Sequence, residues 1–423
     1  MTKIMSIFVS LMITLSSLFY TYFGGEYKHD KTIDNNYPCV FVHGFMGFGY
    51  DSGANHIVSY WGATACDLIP ELNKLGYDCH EADVGPLSSN WDRACELYAQ
   101  LTGTQVDYGE AHAKAHNHAR YGRTYSSPIV ENWGGKDENG KTVKVNLIGH
   151  SFGGNTIRLL LSLLDKGDKA EIEATADGSL SELFTGGKSE LVNSITTVAT
   201  PNNGTSLIYV GEEIGLLNFV EKASYFIAGT AGRTELNQMF DFHLEQFGIT
   251  PAKGEKAQDF LVRAIKTMME NYNNDSAYYD LSPDGAKELN DRCEALDNVY
   301  YYSNSFCTTK DDGNGKQVAD TGSFLLLYPL AKLIGKYDTN TITDYKIDES
   351  WLANDGMVNT VSERAPFDEP SRDFSYGDDA QSGVWNMLPT IKGDHGFAVG
   401  LMSSKTEVLD RFTALLDQIN SKG

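Results

Sequence analysis

An α/β fold with a mostly parallel central sheet flanked by helices is predicted by three features of this sequence. Short apolar strand patterns alternate with helical patterns along the chain, which is typical of parallel sheets. One strand pattern runs into a glycine-rich turn, and a leucine-rich helical pattern leaves that turn. The chain has 423 residues, of which 41% are hydrophobic, and this is enough to bury a large core. An open α/β unit of this length with insertions is therefore expected.

The individual elements are assigned from periodicity and from the residues at their boundaries. Apolar and β-branched runs predict strands, and capping residues and glycines predict where helices begin and end. The predicted elements, in chain order, are a strand at 38–43, a helix at 66–75, a helix at 92–102, an irregular segment at 103–135, a strand at 144–148, a helix at 154–165 and a strand at 194–200.

The turn after the strand at 144–148 has the sequence G-H-S-F-G-G, residues 149–154. A strand that enters G-x-S-x-G and a helix that leaves it form the nucleophile elbow of an α/β-hydrolase, where the serine lies on a strained turn. Small residues are needed beside the serine because the backbone doubles back tightly. The free N–H groups and positive dipole end of the helix then face the reacting carbonyl oxygen. The motif predicts Ser151 as a nucleophile, the alternative being a simple Gly-Ser turn.

A histidine base should follow the serine in this fold, with an acid between them. Of the ten histidines, only His243 and His395 come after Ser151. His243 lies in a helix-like pattern, whereas His395 lies in a Gly-flanked loop near the C-terminus. Elimination therefore favours His395 as the group that takes the serine proton and later gives it to the leaving alcohol.

The acid stays open on the residues alone. Asp355 precedes an apolar stretch in a loop, and Asp320 and Asp394 are its rivals, although Asp394 adjoins the histidine and is poorly placed to orient its ring. An oxyanion hole needs two backbone donors. We expect them to be the N–H of Phe152, directly after the nucleophile, and the N–H of Phe45, in the loop after the first strand.

The net charge of the chain argues against two classes of binding partner, and its cysteine content bears on disulfide formation. The chain carries 34 Lys and Arg against 57 Asp and Glu, a net charge of −23, which argues against nucleic acid and against docking on anionic membranes. Six cysteines permit three disulfides without establishing them. Cys39, in a strand pattern, is predicted to be a buried thiol, and Cys293 and Cys307 are candidates for a pair.

Two further segments are apolar. Residues 1–25 carry Lys3 and then an apolar run, which predicts a secretory signal peptide. A run of about 20 residues also has the length of an uncleaved membrane anchor. Residues 207–230 hold large apolar side chains at mixed spacings of three and four, which fits either a core helix or a mobile lid over a lipid site.

Several longer strings of residues together point to a family. They are V-H-G-F at 42–45, Y-W-G at 60–62, G-P-L-S-S-N-W-D-R-A-C-E at 85–96, V-D-Y-G at 106–109, A-R-Y-G-R-T-Y at 119–125, L-F-T-G-G at 183–187, N-D-G at 354–356 and D-H at 394–395. With these strings the chain resembles the secreted triacylglycerol lipases of the thermoalkalophilic Bacillus-type and staphylococcal group, from about Tyr37 to about Ala414.

The resemblance implies a catalytic triad and an oxyanion hole. The triad would be Ser151, Asp355 and His395, so the resemblance selects Asp355 among the acids left open above. The oxyanion donors would again be Phe45 and Phe152. A lid helix would follow Pro201.

The resemblance also implies a structural zinc site, with ligands at Asp92, His112, His118 and Asp275. Two histidines and two carboxylates fill a tetrahedral site and leave no position for a substrate. His116, between the two histidines, is an alternative ligand, and Asp275 rests on the resemblance alone.

The calcium site of the resembling lipases is predicted to be lost. Its ligand positions fall on Gly322, Phe397, Met402 and Ser403. Calcium prefers several hard oxygen ligands, usually with carboxylates, and Phe397 and Met402 offer none. We expect these two side chains to pack against the core instead.

These inferences combine into one hypothesis. Residues 1–25 would be a signal peptide or signal anchor, and residues 36–423 a single lipase domain with a zinc-site insertion at about 85–135 and a lid region at about 205–250. The protein would be a secreted serine hydrolase that cleaves acylglycerols at an oil–water interface through an acyl-enzyme on Ser151, without an obligatory protein partner. The alternatives are a phospholipase or short-chain carboxylesterase on the same scaffold, and, less favoured by an intact triad, a non-enzymatic lipid-binding protein.

Overall fold

The computed structural model describes residues 27–55, 58–214, 241–255, 257–321, 324–325, 327–337 and 345–422. The predicted signal segment at 1–25 and most of the predicted lid region lie outside these residues. Within the described ranges, no helix combines the length and the apolar character needed to cross a bilayer.

Strands and helices largely alternate from residue 39 to residue 198. The strands are β1 Cys39–Val42, β2 Cys79–Ala82, β3 Gln105–Asp107, β4 Tyr121–Thr124, β5 Val145–His150, β6 Val192–Val198, β7 Tyr300–Asn304, β8 Phe306–Cys307, β9 Thr309–Asp311, β10 Gln317–Ala319, β11 Ser371–Asp373, β12 Trp385–Met387 and β13 Ile391–Lys392. The helices are α1 Leu68–Lys74, α2 Asn90–Thr102, α3 Glu110–His116, α4 Phe152–Lys166, α5 Lys169–Ala174, α6 Leu207–Ile214, α7 Ala257–Asn271, α8 Ala277–Asp280, α9 Pro283–Arg292, α10 Tyr328–Ile334, α11 Thr360–Arg364 and α12 Lys405–Asn420.

Seven strands form the central sheet in the order β11-β12-β7-β6-β5-β1-β2, and every neighbouring pair is parallel. β5 and β6, at the centre, are buried along their whole length. A parallel sheet buried on both faces needs helices on both sides. The predicted fold class, a mostly parallel sheet flanked by helices, is confirmed.

The two faces of the sheet bury separate apolar clusters. Along β1, Val40 and Val42 join the cluster that contains α2 and α4, whereas Cys39 and Phe41 join the cluster that contains α1 and α12. This alternation follows from the two-residue period of side chains along a strand. Gly44 follows the carboxyl end of β1 and Ser151 follows that of β5, at the edge where ligands bind in open α/β sheets.

The predicted irregular segment at 103–135 is wrong in part. It contains the antiparallel pair of β3 and β4 and, between them, the short helix α3. Periodicity failed here because these elements are only three to seven residues long and carry too few turns or alternations to show a pattern.

The predicted pairing of Cys293 with Cys307 is also wrong, because all six cysteines are free thiols. The Cys293 thiol donates to the carbonyl of Arg158, and the Cys307 thiol donates to that of Thr309. Cys39 is fully buried, as predicted.

Candidate active site and metal site

Ser151 lies between β5 and α4 in a conformation that few non-glycine residues adopt, with φ 54° and ψ −129°. This is the strained strand-to-helix turn expected of a nucleophile elbow. A Cβ at Gly149 would lie 2.4 Å from backbone atoms of residues 153 and 154. The turn can therefore close only because glycine precedes the His-Ser pair.

The loop after β1 approaches the serine closely. A Cβ at Gly44 would lie 2.7 Å from the Cβ of Ser151 and 3.2 Å from its Oγ. Phe45, the next residue, packs with Phe152 in an apolar cluster completed by Ile208 of α6. The structure thus brings both predicted oxyanion residues beside the serine, one on each side of the elbow.

His395 and Asp355 are joined directly. The Nδ1 of His395 lies 2.5 Å from Oδ2 of Asp355, and the backbone N–H of His395 donates to the carbonyl of Asp355 at 3.0 Å. Asp355 is fully buried, and its Oδ1 accepts the backbone N–H groups of Met357 and Val358 at 2.8 and 2.7 Å. With Nδ1–H committed to the carboxylate, Nε2 of the neutral ring keeps its lone pair for a hydroxyl proton.

The rival acids have other partners. Asp320 accepts Lys392 at 2.6 Å and Lys310 at 2.9 Å. Asp394 accepts the backbone N–H groups of Phe324 and Phe397, which fixes the loop around His395 without contacting its ring. Geometry alone therefore favours the same acid that the resemblance selected.

The helix-like pattern around His243 is not realised as a helix. His243 has a positive φ of 47° and is buried, with Arg123 at 3.1 Å, Glu96 at 3.5 Å and Asp83 at 3.8 Å from its ring nitrogens. These contacts place His243 in an ion-pair network.

A hydrogen-bonded chain links the three loops of the site. The N–H of Gly44 donates to the Tyr60 hydroxyl at 2.9 Å, and Tyr60 lies 2.6 Å from Nδ1 of His150. Nε2 of His150 lies 3.2 Å from the carbonyl oxygen of His395. Burial lowers the pKa of His150 well below its usual value, so the ring is neutral. Because the carbonyl can only accept, Nε2 carries the proton and the Tyr60 hydroxyl donates to Nδ1.

Tyr60 and His150 are positions that sequence reasoning missed. His150 was visible as the residue before the nucleophile, and Tyr60 lay in one of the strings that carried the family resemblance. Neither residue type in its local pattern predicted the contact, because 90 residues separate the two.

The four predicted metal ligands form one cluster. Ligand atoms of Asp92, His112, His118 and Asp275 lie within 4.8 Å of one another. Nε2 of His112 lies 3.2 Å from Oδ1 of Asp92 and 3.3 Å from Oδ1 of Asp275. Burial opposes charge on His112, but the two adjacent carboxylates raise its pKa to about 9. His116 is outside this set, and its ring is tilted by 37° against that of His112, with 4.5 Å between the ring centroids.

The residues around the cluster orient its ligands. Gln246 donates to Oδ2 of Asp92 at 2.9 Å, and Nδ1 of His118 lies 2.9 Å from the carbonyl of Ala119. Trp91 stacks on His112 at 4.9 Å. Bonds on the far side of ligands, as seen here for Asp92 and His118, are characteristic of metal sites.

The ligand-side atoms of the cluster lack hydrogen-bond partners among the described residues. They are Asp92 Oδ1, His112 Nε2, His118 Nε2 and both oxygens of Asp275. Buried polar atoms are rarely left unpaired, and two imidazoles with two carboxylates are a donor set that suits zinc. The cluster therefore fits a metal ion on its own chemistry.

At the positions of the calcium site that is predicted to be lost, the expected packing of Phe397 and Met402 against the core is wrong for one of the two residues. Phe397 packs against the apolar cluster of α12, with the guanidinium of Arg411 4.8 Å from its ring. Met402 does not pack: it lies at a turn with φ 60° and is 55% exposed. Gly322 lies outside the described residues. The sequence could not distinguish the two apolar side chains because their exposure depends on the path of the loop.

Comparison with known proteins places this geometry in a family. A family model described as "Lipase-like, C-terminal domain" matches residues 35–419. A lipase from Staphylococcus hyicus is 36% identical over 372 residues, which cover 86% of this chain and 54% of the relative. Lipase 2 from Staphylococcus aureus is 36% identical over 371 residues, with coverages of 87% and 51%. The chain spans about half the length of these curated relatives.

Solved structures agree over nearly the whole chain. The crystal structure of Staphylococcus hyicus lipase matches with a TM-score of 0.75 and 34% identity, covering 93% of this chain and 98% of that one. EstA from Clostridium botulinum matches with a TM-score of 0.82 and 37% identity, covering 94% and 93%. Lipase 1 from Pelosinus fermentans matches with a TM-score of 0.80 and 37% identity, covering 92% and 100%.

The resemblance to staphylococcal lipases, inferred from short sequence motifs, is thus confirmed by the sequence and structure comparisons. The α/β-hydrolase type of the fold is confirmed as well. This chain belongs to the family of lipase-like C-terminal domains.

Proposed function

We propose that this protein is a secreted triacylglycerol lipase, a serine hydrolase that cleaves the carboxylic esters of long-chain acylglycerols. The observation that carries the proposal is the contact of 2.5 Å between Nδ1 of His395 and Oδ2 of Asp355. The carbonyl oxygen of His395 is also hydrogen-bonded to His150, the residue directly before the strained Ser151. The relatives named lipase support the substrate class.

The residues divide the reaction between them. His395 takes the proton of Ser151 through Nε2, and Oγ attacks the ester carbonyl. The N–H groups of Phe45 and Phe152 stabilise the oxyanion of the tetrahedral intermediate. The protonated imidazole then gives its proton to the departing glyceride oxygen, which leaves the acyl group on Ser151. Water, activated by the same ring, releases the fatty acid and restores the serine.

Asp355 orients the imidazole and stabilises its charge. Its three N–H donors, two from its own turn and one from His395, hold the carboxylate in place. The acidic surface of the chain, with a net charge of −23, suits an uncharged lipid better than an anionic phospholipid surface.

The metal cluster supports the fold rather than the chemistry in this proposal. Asp92, His112, His118 and Asp275 would hold one zinc ion, which would supply only structural cross-linking because four protein ligands complete its tetrahedral shell. Residues 85–135 would then be an insertion that the ion ties to Asp275.

Hydrolysis of a series of p-nitrophenyl esters and of an emulsified triacylglycerol tests the proposal, with Ser151→Ala as the control. We expect activity on long chains and on the emulsion. If residues 205–250 contain a lid, activity should jump once the substrate exceeds its solubility, because the apolar inner face is stable only against lipid. Activity confined to short, soluble esters would indicate a carboxylesterase, and preference for phospholipid vesicles would indicate a phospholipase.

A further inference from the structure

A second carboxyl group is buried against the proposed catalytic acid. Helix α11 begins five residues after Asp355, and Glu363 of this helix is fully buried. Its Oε2 accepts the backbone N–H of Phe306 at 2.6 Å. Its other oxygen, Oε1, is buried and has no hydrogen-bond partner among the described residues. One oxygen of this side chain is therefore satisfied and the other is not.

The neighbour of that side chain is Asp355. The two carboxyl groups adjoin each other, and burial together with the Asp355 charge raises the pKa of Glu363 well above its usual value. Two carboxyl groups this close share a proton, because both cannot be charged in a buried site. Asp355 already accepts three N–H donors, which suit a carboxylate, whereas Glu363 accepts one. The proton therefore belongs on Glu363.

We propose that Glu363, as a neutral acid, is a positioning residue that donates a hydrogen bond from Oε1 to the Asp355 carboxylate. A proton on Oε1 gives the unpaired oxygen its partner and adds a fourth donor to Asp355. The side chain acts through Asp355 on the orientation and charge of His395. The catalytic role of Glu363 rests on the proposed function, whereas the protonation of Glu363 is independent of it.

The bond has a consequence for the dependence of the rate on pH. A carboxylate that accepts an extra hydrogen bond is a weaker base, so Asp355 holds the protonated His395 less tightly than it would alone. The acid limb of kcat/KM then lies at lower pH. The other titratable groups that face this pair are Asp394 and the Cys307 thiol. The neutral ring of His150 lies 4.7 Å from that of His395, and none of these groups changes in the variants below.

Two variants distinguish the hydrogen bond that Glu363 donates from the volume that its side chain fills. In Glu363→Gln the amide oxygen still accepts from Phe306 and the NH₂ group still donates to Asp355. Glu363→Met keeps the length of the side chain and removes both functions. We expect the acid limb and kcat of Glu363→Gln, measured on a soluble p-nitrophenyl ester, to match wild type. In Glu363→Met we expect the acid limb of kcat/KM to shift to higher pH by about one unit and kcat to fall about tenfold.

Glu369→Met is the matched control. Glu369 also accepts one backbone N–H, that of Ala295 at 2.9 Å, and burial also raises its pKa. Loss of this acceptor should lower the melting temperature without moving the acid limb, as a merely structural role predicts.

Infrared difference spectroscopy gives a readout that needs no activity. The spectrum of wild type minus Glu363→Gln at neutral pH should contain the band of one protonated carboxylic acid. A carboxylate band in its place would overturn the proposal. So would an acid limb that falls in Glu363→Gln, because that requires a charged Glu363, or a limb and kcat that stay unchanged in folded Glu363→Met. Wild-type hydrolysis by Ser151→Ala would instead refute the proposed function and leave the infrared result standing.

Discussion

The His395–Asp355 pair and the four-residue metal cluster are both buried groups of histidine and aspartate, but their polar atoms are satisfied in opposite ways. Both oxygens of Asp355 accept protein N–H groups. In the cluster, both oxygens of Asp275 and the Nε2 atoms of both histidines have no hydrogen-bond partner among the described residues. Asp92 and His118 are each bonded on the side away from the common centre, and all four side chains keep unpartnered atoms within the cluster.

This difference shows which of the two groups has its polar atoms satisfied by the polypeptide alone. A buried carboxylate is tolerated when donors replace its water, and the turn at 355–358 supplies those donors locally. Two buried carboxylates within 4.8 Å of each other repel, and a cation between them removes that cost. The pair should therefore work without any ion, whereas the cluster should lose its geometry without one.

The largest expected effect concerns the pair. Ser151→Ala or His395→Ala should lower activity by at least ~10³-fold while the protein stays folded, because each removes a group that moves the proton or forms the acyl-enzyme. Ester hydrolysis and circular dichroism on the same samples measure both quantities. His80→Ala, which removes a histidine paired with Asp78, is the control. A folded His395→Ala variant with a near-wild-type rate would end the assignment.

The second effect concerns the cluster. Purified protein should contain about one equivalent of zinc per chain. His118→Ala should lose the metal and lower the melting temperature more than the rate at low temperature, since the ion stabilises only the folded form. His116→Ala, which removes a neighbouring ring but no ligand, should keep the metal. Full stability in protein stripped of metal would contradict the structural role.

A smaller effect should follow from breaking the link between the loops. Tyr60→Phe removes a hydroxyl that accepts from Gly44 and donates to His150. A hydrogen bond of this kind contributes about 1 kcal/mol, so kcat should fall roughly five- to tenfold. Tyr77→Phe removes a similar buried hydroxyl, bonded to Asp417 on the other side of the fold, and should leave kcat unchanged. Equal rates in the two variants would show that the link does not position the site.

The smallest expected effect is that of calcium. Thermal melts in excess calcium and in a calcium-selective chelator, with zinc held constant, should agree. The reason is that Phe397 offers an apolar ring where a carboxylate is needed and that Asp320 is already paired with Lys310 and Lys392. A rise of several degrees with calcium is the shift that linkage requires for a site in the folded state, and it would show that a site has been rebuilt.

Local sequence determined much of the fold and the centre of the site. The strand-to-helix turn at Ser151 could be read directly, because Gly149 is dictated by backbone contacts within the turn itself. The same holds for α2, whose N-cap Ser89 accepts the N–H of Asp92, because serine is a residue type that favours the start of a helix. His395 could be reached by elimination, because the chain order of the partners leaves few candidates.

Tertiary structure decided what depends on distant residues. On the residues alone Asp320 and Asp394 stayed open as rivals of Asp355, and only the folded chain joins Asp355 to a ring 40 residues away. Met402 was expected in the core and is exposed, while the pairing of Cys293 with Cys307 did not form. Glu363 carries no local sign of its contact with Asp355. Hydrophobic periodicity and turn chemistry act over a few residues, so sequence specifies elements and their ends. Burial, pairing of charges and the state of a proton depend on what the packed elements bring together, and these only the tertiary structure determines.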